Sequence, residues 1–99
     1  MSSSGRFGEV IDSLWATIEE RREADPAASY TAKLLSGPED SLLKKIGEEA
    51  TEVVMAAKDG DAAHLRYEAG DLVYHLLVTL ARHGVTPDDL AEELASRFK

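Results

Sequence analysis

Apolar residues recur along this chain at intervals of three and four and nowhere alternate strictly with a period of two. The pattern predicts helices and no sheet. Val10, Leu14, Trp15 and Ile18 share one face of a first helix expected from Glu9 to about Ala24, stopped before Pro26 because a residue preceding proline is pushed out of the helical region. Ser29 is a suitable N-cap for a short helix to Leu35, and Gly37-Pro38 break the chain behind it. A second long helix is expected from near Pro38 to Asp59-Gly60, with Glu39 and Asp40 at the positive end of its dipole. Asp61 can cap a third, running to about His83, where Gly84 tolerates a left-handed stop. Thr86-Pro87-Asp88-Asp89 reads as the cap, proline and acidic first turn of a last helix ending near Phe98.

Helical phase sorts the two long segments into faces. Leu42, Ile46, Ala50, Val53 and Ala57 fall on one stripe of the second, and Leu65, Ala69, Leu72, Leu76 and Leu80 on one stripe of the third. These stripes are expected to pack together. Tyr67, Tyr74, Val78 and Ala81 lie on roughly the opposite side of the third helix, more apolar than a one-sided surface helix requires. The expected fold class is all-α, a helical bundle of about four to five helices occupying residues 1–99 as a single domain, with its core completed by homodimerisation.

Composition narrows the functions open to such a bundle. The chain of 99 residues suits one hydrophobic core, and 43% hydrophobic with 30% charged residues is a globular balance. Apolar runs such as Leu76-Leu77-Val78 are far below the ~20 residues of a membrane span, and no apolar leader follows Met-Ser-Ser-Ser-Gly-Arg. Zero cysteines exclude disulfides, thiolate metal sites and a cysteine nucleophile, so the cytoplasm is the expected compartment. A formal net charge of −8 has the wrong sign for a binder of nucleic-acid backbones. An acidic chain can still act on a phosphorylated small molecule when divalent cations stand between carboxylates and phosphates.

Clustered carboxylates are therefore the chemistry to look for. Glu49 and Glu52, three positions apart with Glu48 beside them, flank the apolar stripe of the second helix. His64, Glu68, Asp71 and His75, at spacings of four, three and four, flank that of the third. If the two helices pack antiparallel, an EExxE row and an ExxD row converge, with Ala50, Ala69 and Gly70 leaving space. Carboxylates so close repel unless a cation compensates, and an oxygen-rich donor set suits Mg²⁺ or Mn²⁺. The competing reading is a solvated acidic face in which Lys44 and Lys45 pair with Glu48 and Glu49. A di-iron bundle would require Glu-x-x-His, and Leu72 stands three before His75. His64 and His75 thus read as hydrogen-bonding or substrate-side groups in place of ligands, or as ordinary partly buried histidines, and Trp15, Tyr30 and Tyr67 as packing residues.

The run Lys44-Lys45-Ile46-Gly47-Glu48-Glu49-Ala50-Thr51-Glu52-Val53-Val54, then Glu68-Ala69-Gly70-Asp71-Leu72-Val73-Tyr74-His75-Leu76-Leu77, resembles the phosphoribosyl-ATP pyrophosphatase family of MazG-like, all-α nucleotide pyrophosphatases. The resemblance covers about Ser29 to Leu94; the first ~25 residues carry no family motif. It implies Mg²⁺-dependent hydrolysis of 1-(5-phosphoribosyl)-ATP to 1-(5-phosphoribosyl)-AMP and pyrophosphate, the second step of histidine biosynthesis, by an obligate dimer. Carried over, Glu49, Glu52, Glu68 and Asp71 would ligate Mg²⁺, and Glu48 would be a further ligand or orient the attacking water. Lys33, Lys44 and Lys45 would stabilise phosphate charge, and His75 would sit on the substrate side. The expectation is a stand-alone pyrophosphatase, since the cysteines used by the cyclohydrolase fused to it in some organisms are absent. The same carboxylates are open to a house-cleaning (d)NTP pyrophosphatase, and a non-catalytic helical dimer module is the alternative outside enzymes.

Overall fold

Residues 3–98 are described by a computed structural model in which every regular element is helical. Met1 and Ser2, at the start of the stretch read for a leader, lie outside the described residues. The elements are α1 (Ser3–Glu20), continued by a 3₁₀ turn at Arg21–Glu23, then α2 (Tyr30–Ser36), α3 (Glu39–Asp59), α4 (Ala62–Arg82) and α5 (Pro87–Ala95). Among the described residues no helix is long and apolar enough to cross a membrane.

The caps carry out what their residue types allow. Side chains of Ser29 and Asp61 accept from the amides of Ala32 and His64 at 3.1 and 3.0 Å, and Thr86 with Asp89 forms a reciprocal capping box. Both long helices end in a Schellman motif on a left-handed glycine. At Gly60 (φ 69°) the Asp61 amide reaches back to the Ala56 carbonyl and that of Gly60 to Ala57, each at 3.1 Å. At Gly84 (φ 73°) Val85 and Gly84 repeat the pattern on Leu80 and Ala81. Two boundaries differ from expectation. α1 begins at Ser3 instead of Glu9, and Phe7, one turn before Ile11, continues its apolar stripe as an exposed side chain in spite of Gly5 and Gly8. α5 ends at Ala95, and Ser96–Phe98 tighten into a final turn in which Arg97 and Phe98 bond three residues back.

With only Gly60 and Asp61 between them, α3 and α4 fold back as an antiparallel pair. Their side-chain contacts run in reverse order, Glu39 to His83 at the open end, Glu49 to His75 midway and Glu52 to His64 near the turn. The line of α3 facing inward is Leu42, Glu49 and Ala56, with Ile46 and Val53 half-buried between them. This is a seven-residue repeat, so Ala57, expected in the stripe, is exposed and Ala56 is fully buried.

α1 and α2 lie across the far half of α4, where Ile18, Leu34, Leu42, Leu77, Val78 and Ala81 make the core. The two faces expected of α4 are thereby corrected. Val78 and Ala81, expected on an outward face, are buried within the chain, and Tyr74 is half-buried. Leu76, expected inside, is exposed, because α1 and α2 cover the side of α4 that carries Tyr74, Leu77, Val78 and Ala81. Two arginines tie the layers. Arg82 donates to the Leu34 carbonyl at 2.8 Å near the end of α2, and Arg22 donates to the Ala81 carbonyl near the end of α4.

Candidate active site

The α3–α4 crossing brings one member of each acidic row together, Glu52 of α3 and Glu68 of α4. His64 Nε2 on α4 lies 3.4 Å from Glu52 Oε1 on α3 and 3.4 Å from Glu68 Oε2 one turn along its own helix. All three are half-buried, and one ligand atom from each falls within 4.8 Å of the others, the spacing of a metal-binding group. Among the described residues no lysine or arginine forms an ion pair with Glu49, Glu52, Glu68 or Asp71.

Glu49 stands apart from its row because it occupies the inward line of α3. It is buried, and its Oε1 is 2.7 Å from Nδ1 of the buried His75. That nitrogen also lies 3.0 Å from the main-chain carbonyl of Asp71, one turn back on α4. Both neighbours of Nδ1 are acceptors, so Nδ1 carries the hydrogen. On the other side of the ring the Tyr30 hydroxyl, from the first turn of α2, lies 2.9 Å from Nε2 and donates to it when Nδ1 carries the ring's one hydrogen. Desolvation raises the Tyr30 pKa above 10.0, and the charges of Tyr74, Glu49 and Asp71 push it the same way, so the phenol stays a neutral donor. Tyr74 stacks on Tyr30 with ring centroids 6.4 Å apart and shares a hydroxyl hydrogen bond with Thr31. No buried side-chain polar atom among the described residues lacks a partner.

The remaining sequence candidates occupy the margin. Asp71, half-buried, borders a shallow surface depression with Arg66, Tyr67 and Gly70, and a Cβ built on Gly70 would meet nothing. Glu48 is exposed on α3, 4.0 Å from Lys44. Lys33 on α2 and Lys44 and Lys45 near the start of α3 are exposed. His75, read as a hydrogen-bonding or substrate-side group or an ordinary partly buried histidine, is buried with both ring nitrogens in hydrogen bonds within the chain. Tyr30, read as packing, is its partner. A buried glutamate on a seven-residue line facing His75 was the available signal for the first pairing; nothing in sequence announces a contact 45 positions away.

Residues 11–98 match the family model described as phosphoribosyl-ATP pyrophosphohydrolase. The chain is 54% identical over 89 residues to a phosphoribosyl-ATP pyrophosphatase of Pelotomaculum thermopropionicum, an overlap of 90% of this chain and 91% of that protein. It is 51% identical over 88 residues to one of Nitrosomonas eutropha, covering 89% of this chain and 75% of the other. Against the histidine biosynthesis bifunctional protein HisIE of Thermus thermophilus it is 49% identical over 93 residues, which is 94% of this chain and 44% of that protein. With both acidic rows and the Tyr30–His75–Glu49 chain of contacts inside the matched residues, this chain belongs to the phosphoribosyl-ATP pyrophosphohydrolase family.

Proposed function

We propose that this chain hydrolyses 1-(5-phosphoribosyl)-ATP to 1-(5-phosphoribosyl)-AMP and pyrophosphate, in the cytoplasm, as a step of histidine biosynthesis, with residues 1–99 acting as one domain. The observation that carries the reading is the meeting of Glu52 and Glu68 from two helices around His64, inside a region matched to this family.

The donor set fits a hard divalent cation. Its ligating atoms are mainly carboxylate oxygens, and its negative charge has no lysine or arginine pairing among the described residues. Glu49, Glu52, Glu68 and Asp71 would hold Mg²⁺, with Mn²⁺ as a substitute. When bound, the cation screens the carboxylates from the triphosphate, polarises the phosphorus and acidifies water. Glu48, exposed beside Glu49, orients the attacking water and takes up its proton. Water adds at the α-phosphorus as the α–β anhydride breaks, and pyrophosphate leaves. Lys33, Lys44 and Lys45 neutralise charge on the phosphoryl oxygens. Pyrophosphate release from phosphoribosyl-ATP, with Mg²⁺ and with EDTA, tests this alongside ordinary nucleoside triphosphates. Metal-dependent release from phosphoribosyl-ATP alone is expected. Preferential cleavage of a plain (d)NTP would overturn the substrate, and no metal-dependent release would overturn the enzyme.

The active form under this reading is a homodimer. Accessible surface is 6994 Å², against about 5,500 Å² for a compact monomer of this mass. The radius of gyration is 14.7 Å against about 13 Å. Large apolar side chains are exposed within it, including Val54 and Met55 on α3, and Phe7, Leu76 and Leu94 around a groove between α1, α4 and α5.

A further inference from the structure

We infer that Tyr30 and His75 are positioning residues that hold Glu49 in one orientation for cation binding, the chain of hydrogen bonds running from the Tyr30 hydroxyl through the imidazole to Glu49 Oε1. The inference rests on the proposed role of Glu49 as a ligand.

Three features separate this from ordinary core packing. The first is direction. With the hydrogen on Nδ1 held by Glu49 Oε1 and the Asp71 carbonyl, Nε2 presents a lone pair, and Tyr30 supplies the hydrogen it needs. Each link fixes the next, so the ring cannot flip without breaking contacts at both ends. The second is economy of burial. An apolar pair of similar volume at positions 49 and 75 would stabilise the helix crossing at least as well as a buried Glu–His pair, so packing alone does not account for these two residues. The third is Tyr30 itself. Its side chain stays about half exposed while its hydroxyl turns inward to a buried nitrogen, so the bond is not a by-product of burying the ring.

The consequence for Glu49 is chemical. One carboxylate oxygen is committed to His75, which leaves the other as the oxygen that Glu49, one turn before Glu52 on α3, can offer to a cation. A carboxylate held this way binds a cation through a single oxygen and loses little freedom on doing so. The Asp71 carbonyl on the same Nδ1–H links this orientation to the backbone of the opposite row. Tyr30 reaches the site from α2, so the short helix that caps the bundle also determines how the buried carboxylate is presented.

The test uses Mn²⁺ binding to the purified chain without substrate, followed by paramagnetic resonance or calorimetry, with circular dichroism to establish folding. Loss of binding in Glu49→Gln is expected from the ligand role. His75→Ala should weaken Mn²⁺ affinity by roughly 10- to 100-fold, and Tyr30→Phe, which deletes one hydroxyl, should weaken it about threefold or more. His75→Asn, whose amide nitrogen falls near the Nδ1 position, should recover part of what His75→Ala loses. Nitrogen-15 resonances of His75 should show the Nδ1–H tautomer in the parent chain. If Glu49→Gln fails to bind while folded Tyr30→Phe and His75→Ala bind as the parent does, the ligand stands and the positioning role is wrong. Unchanged affinity in Glu49→Gln would remove the ligand and the inference together. An Nε2–H tautomer would reverse the Tyr30 bond and overturn the inference, and should His75→Ala fail to fold, Tyr30→Phe decides.

Discussion

Glu49 sits where a helix pair ordinarily places leucine, between Leu42 and Ala56 on the inward line of α3. A buried carboxylate without a partner is strongly disfavoured, and His75 removes that penalty. The row containing Glu49 was legible from spacing; its burial was missed because the expected stripe of Leu42, Ile46, Ala50, Val53 and Ala57 passes beside the seven-residue repeat of Leu42, Glu49 and Ala56 that the antiparallel partner selects. Two expectations belong at this scale. Glu52→Gln or Asp71→Asn should abolish Mg²⁺-dependent turnover and leave helical content unchanged, measured as pyrophosphate release beside circular dichroism; near-parental activity in either variant would remove it from the ligand set. In an alkaline titration followed by tyrosinate absorbance, Tyr30 should ionise above pH 10, and Tyr30→Phe should remove its component from the titration. Because the folded-state pKa of Tyr30 is raised, its contribution to stability is complete below about pH 10 and lost as pH rises through the folded value.

Three of the helix starts were readable from one or two residues, whereas that of α1, at Ser3 instead of Glu9, was not. Ser29, Asp61 and Thr86 are caps whose hydrogen bonds form within three positions, so local chemistry decides them. The outward and inward faces of α4 were not readable, since both carry apolar residues and the choice depends on where α1 and α2 come to rest. The glycine stops give a direct test. Gly60→Ala meets no steric neighbour, yet places a Cβ at φ 69°, at a cost of about 1 kcal/mol. Its melting temperature should fall by roughly 4–8 °C for a domain of this size, and an unchanged value would show that the α3–α4 connection has relaxed to another turn.

At the scale of the molecule, the surplus of exposed apolar surface gives an expected mass in light scattering of twice 10.8 kDa. Leu76→Asp, on the outward side of α4, should lower that mass toward a single chain without loss of helix, and a parental mass would place the interface elsewhere. The two-residue link between α3 and α4 bears also on how the chain acquires its shape. Every contact around His64 spans at most twelve positions, and the Glu49–His75 contact spans 26. Contacts this local form early, so the part of the chain that assembles fastest is also the part in which like charges are forced together. Under the proposed cation site, Mg²⁺ should therefore speed refolding followed by stopped-flow circular dichroism, and a rate unchanged by Mg²⁺ would show that the charges come together only after the ion-free fold is complete.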